Sequence, residues 1–75
     1  MEISDVLIHI DESIGQDSQF MLEKSLREVK GIVSPRFSAQ QNHLMFVAYN
    51  PDATSAAMIL EKIHGHGYEA QIVAI

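Results

Sequence analysis

The sequence has no cysteine and no tryptophan, and five basic residues stand against ten acidic ones. Without cysteine there is no disulfide to staple a small core and no thiolate to hold a metal. Nothing asks for an oxidising compartment, so the cytoplasm is the expected location. The net charge of −5 repels a phosphate backbone at long range and argues against nucleic acid as a partner. Long apolar runs are missing as well: the longest, Leu44 to Tyr49, falls far short of a membrane span. The opening MEISDV carries acids where a signal peptide has a basic start and an apolar core, so neither secretion nor membrane insertion is expected. A chain of 75 residues fits one domain, 1–75, with a modest core that association with another chain would help.

What is present is periodicity. Val6, Ile8 and Ile10 alternate with Leu7 and His9, so residues 3–10 read as a first strand with its branched residues facing a core. From Ile10 to Ile32 the chain runs through a polar loop into a helix whose Leu22, Ser25, Leu26 and Val29 recur at three- and four-residue steps. Asp17 or Ser18 is expected to cap that helix, or Ser13 with Gln16 to form a capping box, and Gly31 to stop it after Lys30. Ile32 to Ser38 contains Pro35, which cannot donate to a ladder and belongs on an edge strand. After a polar turn, His43 to Tyr49 is the third strand. Asn50-Pro51-Asp52 turns the chain, and Asp52 or Thr54 is expected to cap a second helix with Ala56, Ile59 and Ile63 inward and Gly65 at its end. Tyr68 to Ile75 is the last strand, alternating Ala70, Ile72 and Ala74 with the rest.

The order βαββαβ specifies an α+β, ferredoxin-like sandwich: a four-stranded antiparallel sheet with two helices on one face. Strands one and three are then central and strand two lies at an edge, in agreement with Pro35. Many functions share this architecture, so it decides none of them.

The residues resemble a heavy-metal-associated (HMA) domain, the fold of small copper chaperones and of modules of metal-transporting ATPases. The resemblance rests on Val6, Ile8 and Ile10; on Leu22-Glu23, Leu26, Val29 and Gly31-Ile32; on Tyr49-Asn50-Pro51; and on Gly67-Tyr68. Counting back from Gly31, the family's Cys-x-x-Cys pair falls on Gly15 and Ser18. Cu(I) is soft and selects thiolate or thioether, and neither of these residues offers one. The resemblance therefore implies the fold and a degenerate member whose soft-metal site is lost.

Candidate sites follow from the same frame. His64 and His66, in the string His-Gly-His-Gly-Tyr, lie in a loop that the HMA arrangement brings beside Asp11, Glu12 and Asp17. Imidazole with carboxylate suits one weakly bound divalent metal ion such as Zn²⁺, Ni²⁺ or Cu²⁺. The competing reading makes His64 a favourable charge at a helix C-terminus and His66 a solvated loop residue. Met21, Met45 and Met58 read as gap-filling core residues rather than soft ligands. Phe20 lies off the buried stripe, one turn from Gly15 and Ser18, where a family member would meet its partner; Tyr68 stands where the family approaches its metal. Phe20 is either a contact anchor or folded over the loop. Alternation turns Leu7, His9, Leu44, Phe46, Val73 and Ile75 to the sheet face that no helix covers. Burying about 400 Å² there would contribute roughly 10 kcal/mol, against an association cost on the order of 4–15 kcal/mol, so a weak dimer through this face is within range.

Phe46-Val47-Ala48-Tyr49 matches the tail of an RNA-recognition strand, but the basic residue, glycine and aromatic that should precede it are missing. The sequence offers no nucleophile beside a base, no paired carboxylates in a pocket and no phosphate-binding loop, so no enzyme is expected. The function expected is a small protein-interaction module related to metal-trafficking domains, with partner another protein or self and no cofactor. The alternative is divalent metal binding or transport through His66, His64 and the loop-one carboxylates. A third reading, resting only on Gly15 between strand and helix, is a small-ligand regulatory domain similar to the ACT type.

Overall fold

The alternating residues of the first and third strands meet as the sequence requires. In the computed structural model, which describes residues 2–74, β1 (Ser4–Ile10) pairs antiparallel with β3 (Leu44–Tyr49), with Val6 opposite Val47 and Ile8 opposite Met45. With β2 (Ile32–Phe37) and β4 (Ala70–Ala74) they form a four-stranded antiparallel sheet in the order β2-β3-β1-β4. Pro35 thus lies on an edge strand as expected.

Two helices cover the apolar face. α1 (Gln16–Arg27) contributes Leu22 and Leu26 to the core and lies against β2; α2 (Ala56–Gly65) contributes Ile59 and Ile63 and lies against β4. Val6, Ile8, Ile10, Met45, Val47 and Tyr49 close the core from the sheet side. The helices touch each other little, which leaves a furrow between them.

The helix ends differ from the sequence expectation. α1 begins on Gly15, in extended conformation and with no side chain to cap, instead of on Asp17, Ser18 or Ser13. Ser13 is engaged elsewhere, its Oγ accepting from Asn42 Nδ2 at 3.4 Å. Asp17 lies inside the first turn, where its charge favours the helix dipole. The helix also stops at Arg27, because Glu28 and Val29 donate back three residues, to Ser25 and Leu26, and tighten the last turn. Gly31 has the positive φ, +98°, expected of it, but uses it to turn into β2 rather than to end the helix.

For α2 the cap is Ser55, not Asp52 or Thr54; its Oγ accepts from Met58 N at 3.2 Å. Asp52 is held in the preceding turn, its N–H donating to Asn50 Oδ1. Ser55→Ala should therefore lower stability by about 1 kcal/mol, read as a lower urea midpoint at unchanged slope. No shift would mean that water serves the Met58 amide equally well. Gly65 is the last helical residue, while the left-handed position is Gly67, φ +92°, after the C-cap His66.

A bulge in the β1–β4 pairing sets Ile72 opposite Ile8 but Ala74 opposite Leu7. Ala74, expected inward, consequently joins Leu7 and Phe46 around a hollow on the open face. β4 begins at Ala70, two residues later than expected, and Ile75, expected on the open face, lies outside the described residues. Phe46 is 44% exposed and Val73 56%, whereas Leu7, His9 and Leu44 are half-buried.

Candidate functional site

The end of the sheet where β1 stops and β4 starts gathers the loop after β1, the first turns of α1 and the segment after α2. Backbone and carboxylates lock it. Asp11 N–H donates to Glu69 O at 2.8 Å, and Glu69 N–H donates to both Glu12 carboxylate oxygens, at 3.0 and 3.2 Å. Gln71 Nε2 donates to Asp11 Oδ2 at 3.3 Å. Glu12 is in this way committed to the start of β4, extending the β1–β4 pairing past the last strand residues.

The histidines are committed as well. His64 Nε2 donates to Ala70 O at 3.2 Å, joining the end of α2 to β4. His66 Nε2 and Ser25 Oγ share a hydrogen bond of 2.8 Å, which joins the same end of α2 to α1. Of the expected metal set, only His66 and Asp17 line one hollow, of about 180 Å³, with Ser18, Met21, Leu22 and Tyr68. Asp11 and Glu12 are not among its walls. Among the described residues no three His, Asp or Glu side chains stand together as a metal ion would need. The set His66, His64, Asp11, Glu12 and Asp17 is therefore not assembled. The reason is that Asp11, Glu12, His64 and His66 each already serve a link between elements, while Asp17 lies in the first turn of α1.

Gly15 and Ser18 fall where the resemblance puts them, at the N-cap of α1 and in its first turn. Ser18 forms part of the wall of the 180 Å³ hollow, with Met21 as its soft neighbour. Neither supplies a thiolate, so the pair does not fit Cu(I). The methionines divide. Met45 is fully buried as expected, but Met21 is 62% and Met58 58% exposed. Met21 stands one position before the buried Leu22 and Met58 one before the buried Ile59, so both point away from the core. Phe20, 60% exposed, is not folded over the loop. Tyr68 is half-buried against the core and borders the same hollow as Ser18 and Met21.

Two contacts went unread in the sequence. Ser25 and His66 are 41 residues apart, and no spacing could announce their bond. It is not a catalytic pair, because Ser25 lies inside α1, where backbone amides are already spent on the helix and none is left to form an oxyanion hole. His9 and His43 also meet, with near-parallel rings. That proximity could have been drawn from the strand register, since His43 lies just beyond Leu44, the partner of His9.

No protein-family model and no curated protein matches the sequence. Solved structures do match in fold. A copper-binding domain from HMA7, a P-type ATPase, superposes with TM-score 0.84 at 21% identity, covering 93% of each chain. The N-terminal domain of a potential copper-translocating P-type ATPase from Bacillus subtilis gives 0.87 at 18%, over 97% of this chain and 90% of that one. Oxidized MerP from Ralstonia metallidurans gives 0.82 at 13%, over 95% and 97%. The chain has the ferredoxin-like fold of these HMA domains along nearly its whole length. It has it without any cysteine.

Proposed function

We propose that this chain is a non-enzymatic HMA-like domain that has given up the soft-metal site and works by protein contact. The observation that carries the reading is the pair Phe20 and Met21, 60% and 62% exposed, beside Gly15 and Ser18. Two large apolar side chains left to water on consecutive positions suit an anchor for a partner better than a core. The open sheet face around Phe46 is the second contact surface, suited to weak self-association. The divalent-ion reading through His66 keeps only Asp17 beside it and is the weaker one. Among the described residues no helix is long and apolar enough to cross a membrane. We assign the domain to the cytoplasm.

A photoreactive residue placed at Phe20 in the source cells should give one discrete cross-linked protein that Met21→Asp removes. The same residue at Ala57, exposed on α2, should give none. In a competition assay against a strong Cu(I) chelator the purified chain should remain copper-free. Cross-links as abundant from Ala57 as from Phe20, or retention of one equivalent of Cu(I), would overturn the reading.

A further inference from the structure

On the face of the sheet that the helices leave open, one row of residues crosses all four strands. Arg36 stands opposite Phe46, Phe46 opposite Leu7, and Leu7 opposite Ala74. In the next row Asp5 stands opposite Ala48, on the same face because Asp5 and Leu7 are two residues apart. Asp5, Leu7, Arg36, Phe46 and Ala74 together line a hollow of about 430 Å³. Among the strand residues on this face, only Asp5 and Arg36 are acidic or basic, so the face is neutral while the chain carries −5. Among the described residues neither of the two has an ion-pair partner in its own chain. Two strands and two residues separate them, about 12 Å between backbones.

We propose that the open face docks on the open face of a second copy of this chain, as an isologous dimer whose twofold axis runs along the strands between β1 and β3 and pairs Arg36 of each copy with Asp5 of the other. The proposal rests on the second contact surface named above and adds its occupant and its register. Chemistry selects the axis. Run along the strands, it overlaps all four, placing β3 over β1 and β2 over β4 of the other copy. Phe46 then stands over Leu7 at the other copy's hollow, and by symmetry the contact is made twice. Arg36 comes within one strand and two residues of the other copy's Asp5, about 8 Å in projection. With the sheets about 10 Å apart, an arginine side chain spans that gap. An axis across the strands would instead set Arg36 against Arg36, or Leu7 against Asp5. A copy docked on any other surface would meet the surplus acids, which all lie off the open face. Size sets the strength. Four strands ~4.8 Å apart and three rows ~6.8 Å apart cover about 400 Å² on each copy, roughly 800 Å² in all, against about 1,200–2,000 Å² for stable complexes. The dimer is therefore weak, with a dissociation constant on the order of 0.1–1 mM.

Dilution of the full chain from about 2 mM, followed through amide resonances and the diffusion coefficient, tests this. The signals of Leu7, Phe46 and Ala74 should move with concentration while those of Phe20 and Met21 stay. Arg36→Glu and Asp5→Lys should each weaken self-association about tenfold, since each sets like charges together twice. Mixed in equal amounts, the two variants should associate about as well as the native chain, because each mixed dimer regains two opposite-charge pairs. Concentration-dependent movement at Phe20 and Met21 instead, or a mixture that stays monomeric, would overturn this arrangement. A strict monomer at 2 mM, roughly the upper end of the expected range, would overturn it as well. Cross-linking from Phe20 tests the other contact surface and fails or succeeds separately. The native-chain dilution keeps the test decisive even if a variant folds poorly.

Discussion

Replacing Leu26 by alanine should lower the unfolding free energy by about 2–5 kcal/mol. For a domain of this length the total is on the order of 4–11 kcal/mol, so the loss is a large fraction of it and the unfolding midpoint should fall sharply. Leu26 is fully buried, and with Leu22 it is all that α1 inserts fully into the core. The helix has little else to rely on. It spans 12 residues, is started by a glycine and ends in a tightened turn, and a helix of that length is marginal in water without tertiary packing. Its further ties to the rest of the fold are polar: Phe37 N–H donates to Glu23 Oε2 at 2.9 Å, and Ser25 bonds His66. Urea unfolding with amide exchange along α1 checks this. A loss below about 1 kcal/mol, with exchange protection kept from Leu22 to Arg27, would mean that the neighbours collapse into the gap and that α1 is held by its polar ties.

Gly31→Ala should be the most damaging of the glycine substitutions, at about 2–5 kcal/mol. At φ +98° an alanine is strained by roughly 1–2 kcal/mol whatever surrounds it. Here its Cβ would also stand 2.8 Å from Ala53 Cβ, 3.1 Å from Thr54 Cγ2 and 3.3 Å from the Ala53 carbonyl carbon. Ala53 has no rotamer with which to retreat, so backbone must move, at a typical cost of about 1–3 kcal/mol more. The moving part matters, because Asn50 N–H donates to Gly31 O at 2.7 Å and carries the turn that leads into α2. Two companions separate the causes. Gly67, φ +92° but with open space where its Cβ would go, should suffer the strain alone. Gly65, helical and equally open, should gain up to about 1 kcal/mol as alanine. Thermal or urea midpoints falling in the order Gly65, Gly67, Gly31 check the account. If Gly67→Ala cost as much as Gly31→Ala, the clash with Ala53 would be irrelevant.

The sheet was legible because period-two alternation and a misplaced proline are strong, local signals: Val6, Ile8, Ile10 and Pro35 settle β1, the central pairing and the β2 edge. Helix ends were not. Ser13, Asp17, Asp52 and Thr54 are all competent caps, and the choice fell to Gly15 and Ser55 through bonds made elsewhere, such as Ser13 with Asn42. The β1–β4 bulge was hidden for a related reason, since alternation gives the phase of a strand and not an extra residue in its partner. Met21 and Met58 stand one position off each buried stripe, so their helix phase places them outside the core that a gap-filling role requires. At the candidate site, Phe20 was readable from helix phase. The commitments of Glu12 and His66 were not, because they bond across the fold to Glu69 and Ser25, 57 and 41 residues away, and that of His64 was not, because its partner is a backbone carbonyl, Ala70 O, which every residue type offers.

The two outer strands bear on what happens when many copies crowd together. β2 carries Pro35, which offers no N–H to an incoming strand, and its pairing with β3 shifts register between Ile32 and Ser34. β4 is five residues long, and its pairing with β1 is broken by the bulge at Leu7/Ile8. Short, twisted or donor-poor borders are how sheet proteins resist edge-to-edge growth into fibrils. A chain whose open apolar face has borders of this kind on both sides has no template along which to polymerise.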